Sequence, residues 1–134
     1  MPLLVEEAET PRAQSIFEAD PVVVAWWASE VECISALARR EREEGLSASS
    51  LERAVHRLDS LARSWHEIQP AEQVRSLARR VLRLHSLRAA DSLQLAAALV
   101  AAEGHPASLE LVCFDDRLAD AARREGFRTL GRAD

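Results

Sequence analysis

The sequence predicts an α/β domain built around a mainly parallel β-sheet. Two short apolar runs, residues 21–27 and 109–114, lack the alternation of a strand with one wet face, so each is expected to be a strand buried on both faces. The segments between them carry apolar residues at helical spacing, and no Asn-Gly or Asp-Gly pair indicates a hairpin. Strands that alternate with helices are joined by crossovers, which favour parallel pairing.

The composition narrows the possible functions. The chain has 134 residues, 48% hydrophobic and 29% charged, which suits one domain over residues 1–134. All 17 basic residues are Arg, so a P-loop, a Schiff-base enzyme, a receiver domain or a haloacid-dehalogenase-like phosphatase could not be complete here, because each relies on a lysine. The net charge of −5 argues against indiscriminate binding of nucleic acid. Cys33 and Cys113 lack metal-site or disulfide spacing.

No membrane or export segment is predicted. The chain has no run of about 18 apolar residues. Glu6, Glu7 and Glu9 stand where a signal peptide would need a basic start. We therefore expect a cytoplasmic protein without a membrane partner.

Before residue 28 the sequence predicts a short helix and a buried strand. Thr10 is a favourable helix N-cap and Pro11 a favourable first helical residue, so a short helix is expected to begin there. The run 21–27 follows as the first buried strand. Trp26 and Trp27 end this strand and are predicted to be core residues rather than platforms for stacking bases.

Helices dominate the remainder of the chain. Ser29 and Glu32 fit a capping box for a helix that ends near residue 44, with Gly45 as its stop. The later predicted elements are a helix from Ser47 or Ser50 to residue 65, a short strand over 65–68, a helix from Pro70 to 84, an Ala-rich helix over 87–102, a strand over 109–114, a helix from Asp115 to Gly126 and a strand over 127–130.

Three acidic residues are predicted at the carboxyl edge of the sheet, where α/β proteins bind ligands. Glu32 lies in the first turn after one strand and Asp115 lies immediately after another. Asp91 lies in an apolar stripe with Leu87 and Leu95, so its carboxylate is expected on the buried face of its helix.

Each acid also has an ordinary structural explanation, as a capping glutamate, an N-cap or a helix-start acid. Their joint occurrence is harder to explain, because carboxylates that converge in one cleft repel each other unless a cation compensates. Mg²⁺ or Mn²⁺ takes oxygen ligands and recruits substrate phosphates. The implied chemistry is phosphodiester hydrolysis by a metal-activated water.

Three blocks of the sequence, residues 29–39, 87–99 and 112–122, resemble the PIN domain, specifically the VapC-type toxins of bacterial toxin–antitoxin pairs. The resemblance implies a three-layer α/β/α, PIN-like fold. It matches Glu32, Asp91 and Asp115 to the second, third and fourth acidic positions of the family, with Asp116 as an adjacent carboxylate.

The resemblance also implies an activity and its partners. The family is a Mg²⁺- or Mn²⁺-dependent ribonuclease, usually a homodimer, neutralised by a VapB-like antitoxin. Catalysis is then expected from Asp91, Asp115 and Glu32, and metal binding from these three residues and Asp116. His85 and Arg88 flank the helix of Asp91 and are the expected RNA contacts.

Two departures from the family pattern stand out. Cys113 occupies a position where the family has Ser or Thr. The family also begins with a central strand that ends in a metal-binding Asp, whereas residues 1–10 here resemble the stretch after that block. We therefore expect the N-terminal central strand and the first catalytic Asp to be missing, which would leave two neighbouring strands with unpaired edges.

Two further interpretations stay open. A catalytically impaired PIN-like module could dimerise and bind an antitoxin through an apolar groove. A receiver-like phosphotransfer domain is weaker, because the chain has no Lys. Arg75, Arg79, Arg80 and Arg83 form a basic helical surface that could meet phosphates or an acidic partner, although a solvated face is the more ordinary explanation.

Overall fold

The computed structural model describes residues 2–4, 22–113 and 115–131. In chain order, its elements are β1 (Pro2–Leu4), β2 (Val24–Trp26), α1 (Ser29–Glu44), α2 (Ala48–Ser64), β3 (His66–Ile68), α3 (Glu72–Leu84), α4 (Ala89–Ala102), a 3₁₀ turn (Pro106–Ser108), β4 (Glu110–Cys113), α5 (Asp116–Arg124) and β5 (Arg128–Gly131). The helix predicted to begin at Thr10 lies outside the described residues.

The sheet has the strand order β3-β2-β1-β4-β5, and all four pairs of neighbours are parallel. This confirms the predicted α/β class. The two runs predicted as buried strands contain β2 and β4, with bounds tighter than the apolar runs themselves. Within the described residues, no helix is long and apolar enough to cross a membrane.

The prediction of a missing central strand is wrong. β1 lies at the centre of the sheet, with Leu3 opposite Val24 of β2 on one side and Leu111 of β4 on the other. Three residues suffice because the strand pairs along both edges, and Pro2 stands at the first position, where a strand tolerates the loss of a backbone donor. The residues directly after Leu4 lie outside the described part of the chain, and so does the prediction that the first catalytic Asp is missing.

Alternate residues of β2 pack on opposite faces of the sheet. Val23 and Ala25 contact a cluster that contains Leu58 of α2 and Trp65. Val24 and Trp26 instead join clusters formed with helices α3, α4 and α5. The strand is therefore buried on both faces, as the lack of alternation predicts, and helices cover both sides in an α/β/α arrangement.

Two local predictions about the start of α1 are wrong. Trp26 is only 4% exposed, but Trp27 is 50% exposed because the strand has ended and its side chain leaves the core. The capping box does not form either: Ala28 is the N-cap and makes no side-chain cap bond, while Ser29 is buried within the first turn.

The predicted C-terminal end of α1 and the predicted start of α2 are confirmed. Gly45 closes α1 at φ +70°, a left-handed conformation that glycine adopts without a Cβ clash, and its N–H donates to the carbonyl oxygen of Arg40. Ser47 caps α2 by accepting a hydrogen bond from the N–H of Ser50 at 3.2 Å.

Candidate active site

The predicted acids lie near the carboxyl ends of β2 and β4. Asp115 follows β4 and is the N-cap of α5, where its Oδ1 accepts a hydrogen bond from the N–H of Leu118 at 3.0 Å. Glu32 lies in the first turn of α1, the helix that follows β2. Asp91 lies in the first turn of α4 and is half-buried, as its apolar stripe predicts.

The charges of Asp91 and Asp115 both act on the thiol of Cys113, the last residue of β4. Burial is the main reason why the pKa of Cys113 is raised to about 11, and the negative charges of Asp115 and Asp91 raise it further. The Cys113 Sγ donates a hydrogen bond to the main-chain oxygen of Asp115 at 3.1 Å, which partly offsets that rise. The two carboxylates therefore act on the same few atoms at the end of β4.

Glu32 reaches the same helix through a residue that sequence reasoning missed. Gln94 lies one turn after Asp91 on α4, is 2% exposed, and its Nε2 donates to Glu32 Oε2 at 3.0 Å. Gln94 is a lone amide in the otherwise apolar middle of α4, and this is the sequence signal that could have identified it. The bond links α1 to the helix that carries Asp91.

Two buried polar atoms near this link lack a hydrogen-bond partner among the described residues. They are Oγ of Ser29, in a residue with no exposed surface, and Oε1 of Gln94. Buried polar atoms are nearly always paired, and unpaired ones commonly hold a water molecule or an ion. Both are hard oxygen donors, so their chemistry fits Mg²⁺ or Mn²⁺ better than a soft metal.

A complete ligand set is not formed in the described part of the chain. No three His, Cys, Asp or Glu side chains there lie close enough together to hold a metal ion. The oxygen donors are thus of the type that a hard cation prefers. Among the described residues, however, fewer than three carboxylates lie close enough together to bind one ion. Mg²⁺ often needs only one or two carboxylates, because water and substrate phosphates complete its coordination.

The other predicted site residues have different environments. Asp116 is the first residue of α5 and is exposed beside Asp115. Arg88 is the exposed N-cap residue of α4, three positions before Asp91. Both are therefore accessible to a ligand at this edge.

His85 is held in a buried cluster. Its side chain is 9% exposed, and Nε2 forms a 2.7 Å hydrogen bond with Glu125 Oε2. Arg80 Nη2 donates to the other oxygen of the same carboxylate at 2.9 Å. Little of the His85 ring is exposed, and its Nε2 is already paired with Glu125, so the ring is poorly placed to contact RNA.

Burial alone raises the pKa of Glu125, but the hydrogen bonds from His85 and Arg80 outweigh it and lower the pKa below its usual value. The His85–Glu125 contact joins residues 40 positions apart. Nothing in the local sequence pattern predicts it, because the two residues follow the ends of different helices, α3 and α5.

No protein-family model and no curated protein matches the chain. Among solved structures, the chain is similar to one from the crystal structure of FitAcB from Neisseria gonorrhoeae, with a TM-score of 0.61 and 16% identity over 98% of this chain and 97% of that one. The fold is PIN-like. A likeness at this identity shows the fold alone, since one fold hosts many functions.

Proposed function

We propose that the chain is a metal-dependent endoribonuclease, the VapC-type toxin of a type II toxin–antitoxin pair. The observation that carries the proposal is the placement of Asp91 in the first turn of α4 and of Asp115 at the N-cap of α5, directly beyond β4, where the charges of both residues act on Cys113. The PIN-like fold and the resemblance of three sequence blocks to VapC-type toxins support it.

The residues suit the hydrolysis of a phosphodiester. Asp91 and Asp115 would hold Mg²⁺ or Mn²⁺, which supplies an activated water and stabilises charge on the phosphate oxygens when bound. Glu32 helps to hold or orient the ion, and Gln94 fixes that carboxylate by its hydrogen bond. Asp116 adds a further carboxylate beside Asp115.

The partners belong to the same proposal. A VapB-like antitoxin would neutralise the toxin, and the active form would be a homodimer in the cytoplasm. Arg88 contacts the RNA substrate near Asp91, because a guanidinium binds a phosphate with two hydrogen bonds.

The test is Mn²⁺-dependent cleavage of a mixed structured RNA by the purified chain. Asp91→Asn keeps the shape of the side chain but removes its charge, so we expect cleavage to fall by about 100-fold or more with unchanged circular dichroism. EDTA should abolish cleavage, and Asp59→Asn, on the exposed face of α2, is the matched control. Full activity of Asp91→Asn would contradict the assignment.

A second candidate is a catalytically impaired PIN-like module that dimerises and binds an antitoxin. The lack of a three-ligand group in the described residues favours it. Calorimetric titration with Mn²⁺ separates the two functions. A folded chain that binds a VapB-like antitoxin, but neither binds Mn²⁺ nor cleaves RNA, would support the module and contradict the nuclease.

A further inference from the structure

Two buried oxygen atoms between α1 and α4 have no hydrogen-bond partner among the described residues. They are Oγ of Ser29, whose residue has no exposed surface, and Oε1 of Gln94, whose residue is 2% exposed. An unpaired buried polar atom is costly, and in native proteins such atoms commonly contact an internal water molecule. The two atoms therefore point to a ligand that bulk solvent does not reach.

The two residues lie at the same contact between the helices. Gln94 Nε2 donates to Glu32 Oε2 at 3.0 Å, which brings the middle of α4 to the first turn of α1. Ser29 is three residues before Glu32, and side chains with this spacing are neighbours on a helix, with Cβ atoms about 5–6 Å apart. Ala28, directly before Ser29, packs against the cluster that contains Ala97 of α4. Ser29 is thus one helical turn from the carboxylate that Gln94 contacts.

The bond to Glu32 also fixes which end of the Gln94 amide faces that carboxylate. An amide turned the other way would place its carbonyl oxygen against the Glu32 carboxylate, and the two oxygens would repel each other. Nε2 therefore faces Glu32, and Oε1 is left with the capacity to accept a hydrogen bond. Oγ of Ser29 can donate one or accept one. A single small molecule that donates to Gln94 and accepts from Ser29 satisfies both atoms.

The surroundings favour a neutral ligand over an ion. The first N–H groups of a helix have no intrahelical acceptor and carry partial positive charge, and Ala28 supplies no side-chain cap to α1. Together with the Nε2 group of Gln94, they disfavour a cation beside Ser29. Glu30 and Glu32, in the same first turn, disfavour an anion. Water is neutral, donates and accepts hydrogen bonds, and is small enough for a fully buried position.

We propose that one internal water molecule bridges Oγ of Ser29 and Oε1 of Gln94, and that both residues thereby position the Glu32 carboxylate. The water holds the carbonyl end of the amide, so the Nε2 end stays directed at Glu32. The water site follows from the two unpaired atoms alone, whereas its effect on metal binding rests on the proposed function. Ser29 and Gln94 act through Glu32 and are positioning residues.

The first test is the stability of the full chain in EDTA, measured by urea denaturation. Ser29→Ala removes one oxygen atom and little volume. With a bound water, we expect the equilibrium constant for unfolding to rise about five- to tenfold, because hydrogen bonds are lost. Without a water, the variant removes only an unpaired hydroxyl, so the constant should stay the same or fall. Ser35→Ala, at an exposed position of the same helix, is the control.

A double-mutant cycle tests whether the two residues share one water. Gln94→Met keeps an unbranched side chain of similar length without the polar atoms. We expect Ser29→Ala/Gln94→Met to raise the unfolding constant at least about threefold less than the product of the two single effects, because the shared water is lost only once. The effects of Ser35→Ala and Gln94→Met should multiply. Oxygen-17 relaxation dispersion, which counts long-lived internal waters, should find one fewer in the Ser29→Ala/Gln94→Met variant than in the unmodified chain.

Four results would overturn the water site. They are a Ser29→Ala variant as stable as the unmodified chain or more stable, single effects that multiply in the double variant, an unchanged count of internal waters, and coupling that appears only when Mn²⁺ replaces EDTA. The last result would indicate an ion instead of water.

Calorimetric titration with Mn²⁺ tests the positioning role. Ser29→Ala should bind Mn²⁺ about tenfold more weakly, because loss of the groups that orient a metal ligand commonly costs that much affinity. Ser35→Ala should bind Mn²⁺ like the unmodified chain. Equal affinity of Ser29→Ala would contradict the positioning role. An unmodified chain that shows the coupling but binds no Mn²⁺ would contradict the proposed nuclease and leave the water site standing.

Discussion

At the scale of single residues, Cys113 shows that a thiol can donate a hydrogen bond at the end of a strand. A thiol is a weaker donor than a hydroxyl, yet the Cys113 Sγ still donates to the main-chain oxygen of Asp115. Chain position was enough to predict where Glu32, Asp91 and Asp115 lie. The bond from Gln94 to Glu32 was not predictable, because it joins residues 62 positions apart and depends on how two helices pack.

The raised pKa of Cys113 predicts slow chemical labelling. With a pKa of about 11, only about one thiol in a thousand is ionised at pH 8, and the residue is 4% exposed. In a Cys33→Ser variant, which leaves this thiol alone, we expect a disulfide reagent to react at least about 100-fold more slowly with the folded chain than with the chain in denaturant. Rapid labelling of the folded variant would show that the thiol is accessible or ionised.

At the scale of elements, the presence of a helix was easier to predict than the residues that cap it. Gly45 ends α1 and Ser47 begins α2 as their residue types indicate. Ser29 does not cap α1, because a residue that follows a buried strand can be drawn into the core instead. Glu125, directly after α5, also joins two helix ends, because it accepts hydrogen bonds from Arg80 near the end of α3 and from His85 directly after α3.

Glu125 should make stability depend on pH. Its folded-state pKa is lowered, so its contribution is present above the ordinary value of 4.5 and is lost as the pH falls through the folded-state pKa. We expect Glu125→Gln to cost about 1 to 3 kcal/mol in the free energy of unfolding at pH 7, because two charge-assisted hydrogen bonds are weakened.

The difference in unfolding free energy between Glu125→Gln and the unmodified chain should shrink as the pH falls below 4.5 and through the lowered pKa of Glu125, because the carboxylate becomes protonated. Urea denaturation at pH 7 and pH 3.5 measures it. Glu103→Gln, at an exposed position, is the control. If the two chains differ by the same free energy of unfolding at both pH values, the charge of Glu125 is not the source of its contribution to stability.

At the scale of the whole molecule, the apolar runs and their helical spacers predicted a parallel sheet between helical layers. The place of β1 was not predictable, because three residues are too few to show a period. Its position depends instead on pairing with β2 and β4, which no local pattern reveals.

The core predicts which apolar residues stabilise this arrangement. Leu95 of α4 has no exposed surface and belongs to the cluster that contains Val24, Leu111 and Leu118. We expect Leu95→Ala to lower the free energy of unfolding by about 2 to 5 kcal/mol, from lost burial and the cavity that remains. Leu82→Ala, at a residue 40% exposed, should cost under about 1 kcal/mol. Equal denaturation midpoints for the two variants would contradict the assignment of Leu95 to the core and of Leu82 to the surface.

The position of β1 also has a consequence for synthesis on the ribosome. Pro2 is made 108 positions before Glu110, its partner in β4. At about 5 to 20 residues per second, the edge of β1 that faces β4 spends seconds in the nascent chain before its partner emerges. An unpaired strand edge is a template for pairing with other chains. The order of translation thus leaves the centre of the sheet open until β4 has been made, and protection of that edge during synthesis becomes a requirement for correct folding.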